Sequence, residues 1–219
     1  MKLDMHFHSN FSADSITLPA TALKIAKEKG LTLAVTEHNN IGSWKVFKTL
    51  SKEMGVELIY GEEIKTMENG KCVGEIVGLF LNDLVRPAPP ADVFDAIHKQ
   101  GGLAMVVHPF DIFRHDFKNL KDFAKKIDLL EVFNSRTVLG SHNKKALEFA
   151  KKNNLPMTAN SDSHTPEEIG MSYTEVEADS LEQARRQLVK GKTQVVTHKS
   201  PVAVHLTTPL AKMNMLKDR

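Results

Sequence analysis

Short apolar runs alternate with helix-period segments along almost the whole chain, and that alternation limits the folds open to it. The runs at 2–8 (KLDMHFH), 31–38 (LTLAVTEH), 56–64 (VELIYGEEI), 72–81 (CVGEIVGLFL), 103–108 (LAMVVH), 127–133 (IDLLEVF), 155–162 (LPMTANSD) and 194–198 (QVVTH) are predicted strands. Between them the pattern predicts helices at 18–29, 42–54, 91–100, 117–126, 141–154 and 180–190. Pro19 suits a first helical turn, Gly30 and Gly101-Gly102 suit helix ends, and Ser141 suits an N-cap. The turn ENGK (68–71) joins the third and fourth strands, and RPAPPAD (86–92) is a rigid loop. Strand alternating with helix implies parallel βαβ units.

The 219 residues are 41% hydrophobic and 26% charged, enough for one large globular domain. That domain is expected over 1–206, with 207–219 as a tail that frays for want of an anchor. The formal net charge of +2 lacks the strong basic excess of a nucleic-acid-binding protein. Cys72 is the single cysteine, so no intrachain disulfide forms and a reducing compartment suits the chain. There is no charged-plus-apolar leader and no apolar run near the ~20 residues that span a bilayer. The expectation is a soluble, cytoplasmic protein without a membrane partner; nothing in the sequence indicates an oligomeric state.

The polar residues within and just after these strands carry the chemistry. Strand alternation puts Leu3, Met5 and Phe7 on one face and Asp4, His6 and His8 on the other. A lone His-x-His is commonly a solvent-facing pair. Further along stand Asp14, His38 (TEHNN), Glu62 and Glu63 (GEEI), Glu75 in an apolar run, His108 (VVHPF), Arg136 (EVFNSR), and Asp162 with His164 (NSDSH). In a barrel of parallel strands the C-terminal ends converge on one face, where active sites sit. Singly each residue has an ordinary explanation: His38 in a turn, His108 in a loop, Glu75 paired with a lysine, Asp162 as a cap. Jointly they point to a metal site. Carboxylates with imidazoles suit Zn, Mn or Fe, and the single cysteine points away from a thiolate site. So many donors exceed one tetrahedral ion and suit two or three ions sharing a carboxylate, a hydrolytic arrangement.

The segments DMHFHSNFSAD, VTEHN, GEEI, VVHPF and NSDSH resemble the successive motifs of the PHP (polymerase and histidinol phosphatase) superfamily, in order, from residue 4 to about residue 175. The chain is similar to the stand-alone phosphoesterases of that superfamily. The resemblance implies an α/β fold, a distorted (β/α)7 TIM-like barrel of the PHP type, with three ions at its C-terminal face. It implies that His6, His8, Glu63 and Asp162 hold one ion. Glu63 would bridge to a second, held also by His108 and Glu75, and Asp14, His38 and His164 would hold the third. Many members have histidine where Glu75 stands; a glutamate there favours a harder ion. Arg136 is a candidate phosphate ligand through its guanidinium, and His198 a further candidate for substrate binding. His98, His115, His142 and His205 are left as structural or surface residues.

The expected function is hydrolysis of small phosphomonoesters, nucleotide or histidinol-phosphate-like, by a metal-bridging hydroxide at a site of two or three divalent ions. Nucleic acid is expected as a substrate only, by a phosphodiesterase or exonuclease alternative. One Trp and two Tyr offer little stacking surface for it, and Lys144, Lys145, Lys151 and Lys152 read as a solvated helix face. A catalytically silent metal-binding module is the third possibility. Selectivity is expected in the loops 82–92 and 109–118.

Overall fold

A computed structural model describes residues 1–201, 203–204, 208–209, 211 and 213 of the chain. Most of the 207–219 tail, and His205, lie outside this set. The expected alternation is present: β1 (Lys2–Phe7), α1 (Pro19–Lys29), β2 (Leu31–Val35), α2 (Trp44–Met54), β3 (Leu58–Glu68) and β4 (Lys71–Leu79) are followed by α3 (Pro90–Lys99), β5 (Leu103–Val106), β6 (Leu129–Asn134), α4 (Gly140–Asn153) and β7 (Met157–Asn160). Then come β8 (Tyr173–Glu175), α5 (Leu181–Val189) and β9 (Gln194–Val196). The strands form one sheet in the order β7-β6-β5-β4-β3-β2-β1-β8-β9. Strands β1 to β7 curl into a nearly closed barrel, the expected distorted seven-strand α/β architecture. A cluster contributed by six of its strands includes Leu3, Met5, Ala34, Ile59, Val77, Leu79, Met105 and Leu129, with Ala184 and Leu188 of α5 packed against them.

Four local expectations are corrected. The units are not all parallel: β4 runs antiparallel to both β3 and β5. Asn69 and Gly70, with φ of 49° and 74°, form the two-residue turn that reverses the chain, the geometry an Asn-Gly pair favours. The predicted helix at 117–126 is only a 3-10 turn, Leu120–Phe123. Lys118 N–H is committed to Val73 O (2.8 Å) and Asn119 is left-handed at φ 54°, which leaves too few residues for a helix. Ser141 is not a cap, because α4 already begins at Gly140. Finally, a register irregularity between Asp4 and Phe7 breaks the alternation in β1. Leu3 and Met5 join the cluster above, whereas Phe7 packs with Leu23, Val35 and Phe47 beside α1 and α2. The short β8 had no readable apolar pattern.

The barrel closes between β1 and β7, where the only backbone bridge among the described residues is Phe7 with Ser163. Side chains fill the rest of this seam. Met5 N–H donates to Asn160 Oδ1 (2.9 Å), and the Asp4 carboxylate accepts from Ser161 N–H (3.0 Å), Ser161 Oγ–H (2.5 Å) and Gly170 N–H (2.9 Å). Burial pushes the Asp4 carboxyl up to about 6 even against those bonds. Asp4→Ala would leave the two buried Ser161 donors and the half-buried Gly170 N–H without their acceptor, at a cost of about 3 kcal/mol. Thermal unfolding followed by circular dichroism is expected to show a Tm lower by roughly 6–12 °C; an unchanged Tm would mean that the seam does not depend on Asp4.

Candidate metal centre

The expected donors do converge. Glu63, near the middle of β3, lies at their centre. Its Oε1 is 3.4 Å from His6 Nε2 and 3.2 Å from His108 Nε2, and its Oε2 is 3.4 Å from His8 Nε2 and 2.6 Å from His38 Nδ1. Asp162 Oδ1 is 3.5 Å from His6 Nε2 and 3.4 Å from His8 Nε2. Asp14 Oδ1 is 3.3 Å from His38 Nε2 and 3.5 Å from His164 Nε2. Glu75 Oε2 is 3.7 Å from His108 Nε2. Glu75 reaches the cluster from inside the antiparallel β4 rather than from a C-terminal strand end. Its neighbour in the GEEI motif, Glu62, is aimed elsewhere and accepts Val85 N–H (2.9 Å).

Backbone strain and buried partners hold these side chains in place. His108 and Asp162 have φ of 29° and 53°, conformations that cost an L residue free energy and gather at functional sites. Glu131 is the main support. Its Oε1 accepts from His6 Nδ1 (3.1 Å) and Asn160 Nδ2 (3.0 Å), and its Oε2 from His108 N–H (2.8 Å) and Asn134 Nδ2 (2.9 Å). A His6 that donates from Nδ1 keeps Nε2 as a lone-pair donor. His164 Nδ1 likewise donates to Asp162 O (2.8 Å). Asp162 turns Oδ1 to the histidines, while its Oδ2 accepts from Asn134 Nδ2 (3.0 Å) and from the Arg114 guanidinium.

The spacing and the electrostatics suit cations. Ligand atoms about 2.1 Å from one ion lie about 3.4 Å apart at the tetrahedral angle, close to the separations around Glu63 and Asp162. His6 Nε2 and His8 Nε2 are buried and have no hydrogen-bond partner, a costly arrangement that coordination relieves. Burial opposes charge on Glu63 and Asp162. Even so, His38 and His6 hold Glu63, and Arg114 and His6 hold Asp162, well below the usual carboxylate range. Burial also disfavours charge on His6 and His38. The carboxylates, Asp162 foremost for His6 and Glu63 for His38, nonetheless raise both well above the usual imidazole value. Burial, His38 and His164 push His8 down to about 3, so its imidazole stays neutral. The residues present fit such ions.

The centre opens into a cleft of about 680 Å³ lined also by Phe11, Lys65, Phe113, Arg114, His115 and Arg136. Of the two loops expected to set selectivity, 109–118 contributes to this lining and 82–92 does not. Arg136 reaches the wall of the cleft, with Nη1 on Glu168 Oε2 (3.1 Å) and Nη2 on Thr208 Oγ1 (2.7 Å). His198 does not line the cleft: it follows β9, with Nδ1 near Met171 O (3.2 Å) and its backbone N–H on Ser172 Oγ (2.8 Å). His98 pairs with Asp128 (2.8 Å), and buried His142 faces Asp111 (3.4 Å). The sequence reading did not single out Glu131 and Arg114 as members of the site. Glu131 had a signal, a charge inside the apolar run LLEVF; Arg114 had none.

A family model described as PHP-associated matches residues 140–193. An uncharacterised protein of Methanocaldococcus jannaschii is 40% identical over 149 residues, which is 62% of this chain and 82% of that protein. A 5'-3' exoribonuclease of Haemophilus influenzae is 37% identical over 79 residues, 36% of this chain and 28% of the enzyme. Among solved structures, a two-domain protein of Bacteroides vulgatus, named for its predicted PHP-like metal-dependent phosphoesterase, superposes with a TM-score of 0.74 at 24% identity. That match covers 90% of this chain and 65% of the other. With the barrel and the ordered motifs of its rim, these matches show that the chain belongs to the PHP superfamily.

Proposed function

We propose that the chain is a metal-dependent phosphoesterase acting on small phosphomonoesters, nucleotide or histidinol-phosphate-like. The observation that carries this reading is the set of imidazole and carboxylate donors at coordination spacing around Glu63 and Asp162. In this reading His6, His8, Glu63 and Asp162 hold one ion. Glu63, Glu75 and His108 hold a second, and Asp14, His38 and His164 a third, with Zn, Mn or Fe as the metal. Such ions would supply an acidified water and neutralise phosphoryl charge. The chain's own part is to orient and bind. Glu131 fixes the His6 tautomer, Arg114 and Arg136 offer guanidinium donors to phosphoryl oxygens, and the cleft suits a small substrate better than a long polymer.

A second reading, phosphodiester or exonuclease cleavage, is favoured by Phe11 and Phe113 at the rim, 38% and 66% exposed, which could stack bases. The test is to strip the protein with chelator, restore Mn²⁺, Zn²⁺ or Fe²⁺ in turn, and assay p-nitrophenyl phosphate, bis-p-nitrophenyl phosphate and a short oligoribonucleotide. The expected result is monoester turnover lost on stripping and restored by metal. Faster diester or RNA cleavage would favour the second reading, and no turnover with any metal would leave a silent metal-binding module.

A further inference from the structure

Cys72 is the one thiol of the chain, and the ribbon of β3 and β4 is built to bring it beside Glu75. Along that ribbon Thr66 faces Gly74 while the next residue, Met67, faces Cys72, so Val73 is an extra residue in β4. In a regular strand, residues three apart point to opposite sides. The bulge removes that opposition and re-aims the side chains. Gly74 permits it with φ 149°, and a Cβ there would meet Phe117 Cδ2 at 2.4 Å. The same bulge seats the loop that carries His115: Val73 O accepts Lys118 N–H (2.8 Å), and Phe117 packs on Gly74.

As a result, a sulfur, a carboxylate oxygen and an imidazole nitrogen from Cys72, Glu75 and His115 lie within 4.8 Å of one another. Glu75 is 6% exposed. No described residue donates a hydrogen bond to its carboxylate, and His108 is 3.7 Å away. Lone pairs of a buried carboxylate are therefore available on the Cys72 side.

We propose that Cys72, Glu75 and His115 form a peripheral site for a thiophilic divalent ion, zinc or cobalt, that adjoins the centre around Glu63 and meets it at Glu75. Three protein ligands of S, O and N type with a fourth position open to solvent suit these ions and not manganese or magnesium. On binding, a sulfur–metal bond forms and the thiol proton passes to solvent. Glu75 is shared with the His38–Glu63 side of the centre, so filling the peripheral site draws on a carboxylate that the main centre also uses. The site stands whether or not the chain hydrolyses phosphate esters.

A single cysteine makes the test specific, because any sulfur-to-metal charge-transfer absorption must come from Cys72. The full chain is expressed in cobalt-supplemented medium and titrated with further Co²⁺. The expected result is a near-ultraviolet sulfur-to-cobalt band that Zn²⁺ erases and Mn²⁺ leaves. Cys72→Ser should lose the band but keep the visible cobalt absorption of the main centre, which also shows that the variant is folded. His115→Ala should weaken cobalt binding at the band by about tenfold or more. Absence of the band in the unsubstituted protein would overturn the proposal. So would a band unchanged in both His115→Ala and Glu75→Gln, which would mean that the thiol alone picks up cobalt.

Discussion

Asp162→Asn is expected to give a folded protein whose phosphoesterase turnover has fallen by about 10³-fold or more. Asn is the informative replacement because position 162 has φ 53°, which Asn tolerates far better than Ala. Asn can keep an oxygen toward His6 and His8, but it removes the charge that draws a cation between them. It also removes the ion pair that holds Arg114 over the cleft. The measurements are Tm, metal content by plasma mass spectrometry, and turnover of p-nitrophenyl phosphate. A Tm near that of the parent, with metal and turnover both reduced, supports the centre. A variant as active as the parent would sink it, and collapse of the fold would assign Asp162 a structural role instead.

Arg136→Ala should mainly cost stability. Its guanidinium is 5% exposed and pairs with fully buried Glu168. Glu168 Oε2 also accepts the N–H groups of His164 and Thr165 (3.1 Å each), so the pair anchors the loop that presents His164. Deleting one member of a buried pair leaves the other uncompensated, at about 3–5 kcal/mol. That corresponds to a Tm drop of roughly 6–20 °C for a chain of this size. Pairing Arg136→Met with Glu168→Gln should recover most of the loss. The double variant then isolates the proposed phosphate contact: if Arg136 binds the phosphoryl group, KM stays high after stability returns. If KM returns as well, Arg136 serves the loop alone.

The part of this site that was legible in the sequence is the part written in local pattern. His6 and His8 stand out because imidazoles interrupt a strand pattern, and His38, His108 and Asp162 because each stands at the end of a strand-like segment. What stayed hidden depends on partners distant in sequence. Nothing around Asp4 signals that Ser161 and Gly170 will need its carboxylate, and nothing around Arg114 signals Asp162. The reversed strand was recoverable from Asn69-Gly70, but the βαβ rhythm on either side outweighed it. The bulges at Asp4–Phe7 and at Val73 change which face a residue joins, and hydrophobic period alone cannot register one inserted residue. Glu131 shows the opposite case, a visible signal whose meaning came only with the four groups it holds.

The seam between the first and last strands of the barrel has a consequence for how the molecule keeps its shape. His6 and His8 belong to one margin of that seam and Asp162 to the other, so an ion gripped by all three would span the join like a clasp. Binding of this kind favours the closed form by mass action. The same bonds that prepare the chemistry would then hold the first and last strands together, and loss of the ions would loosen the barrel at the margin with the fewest backbone ties.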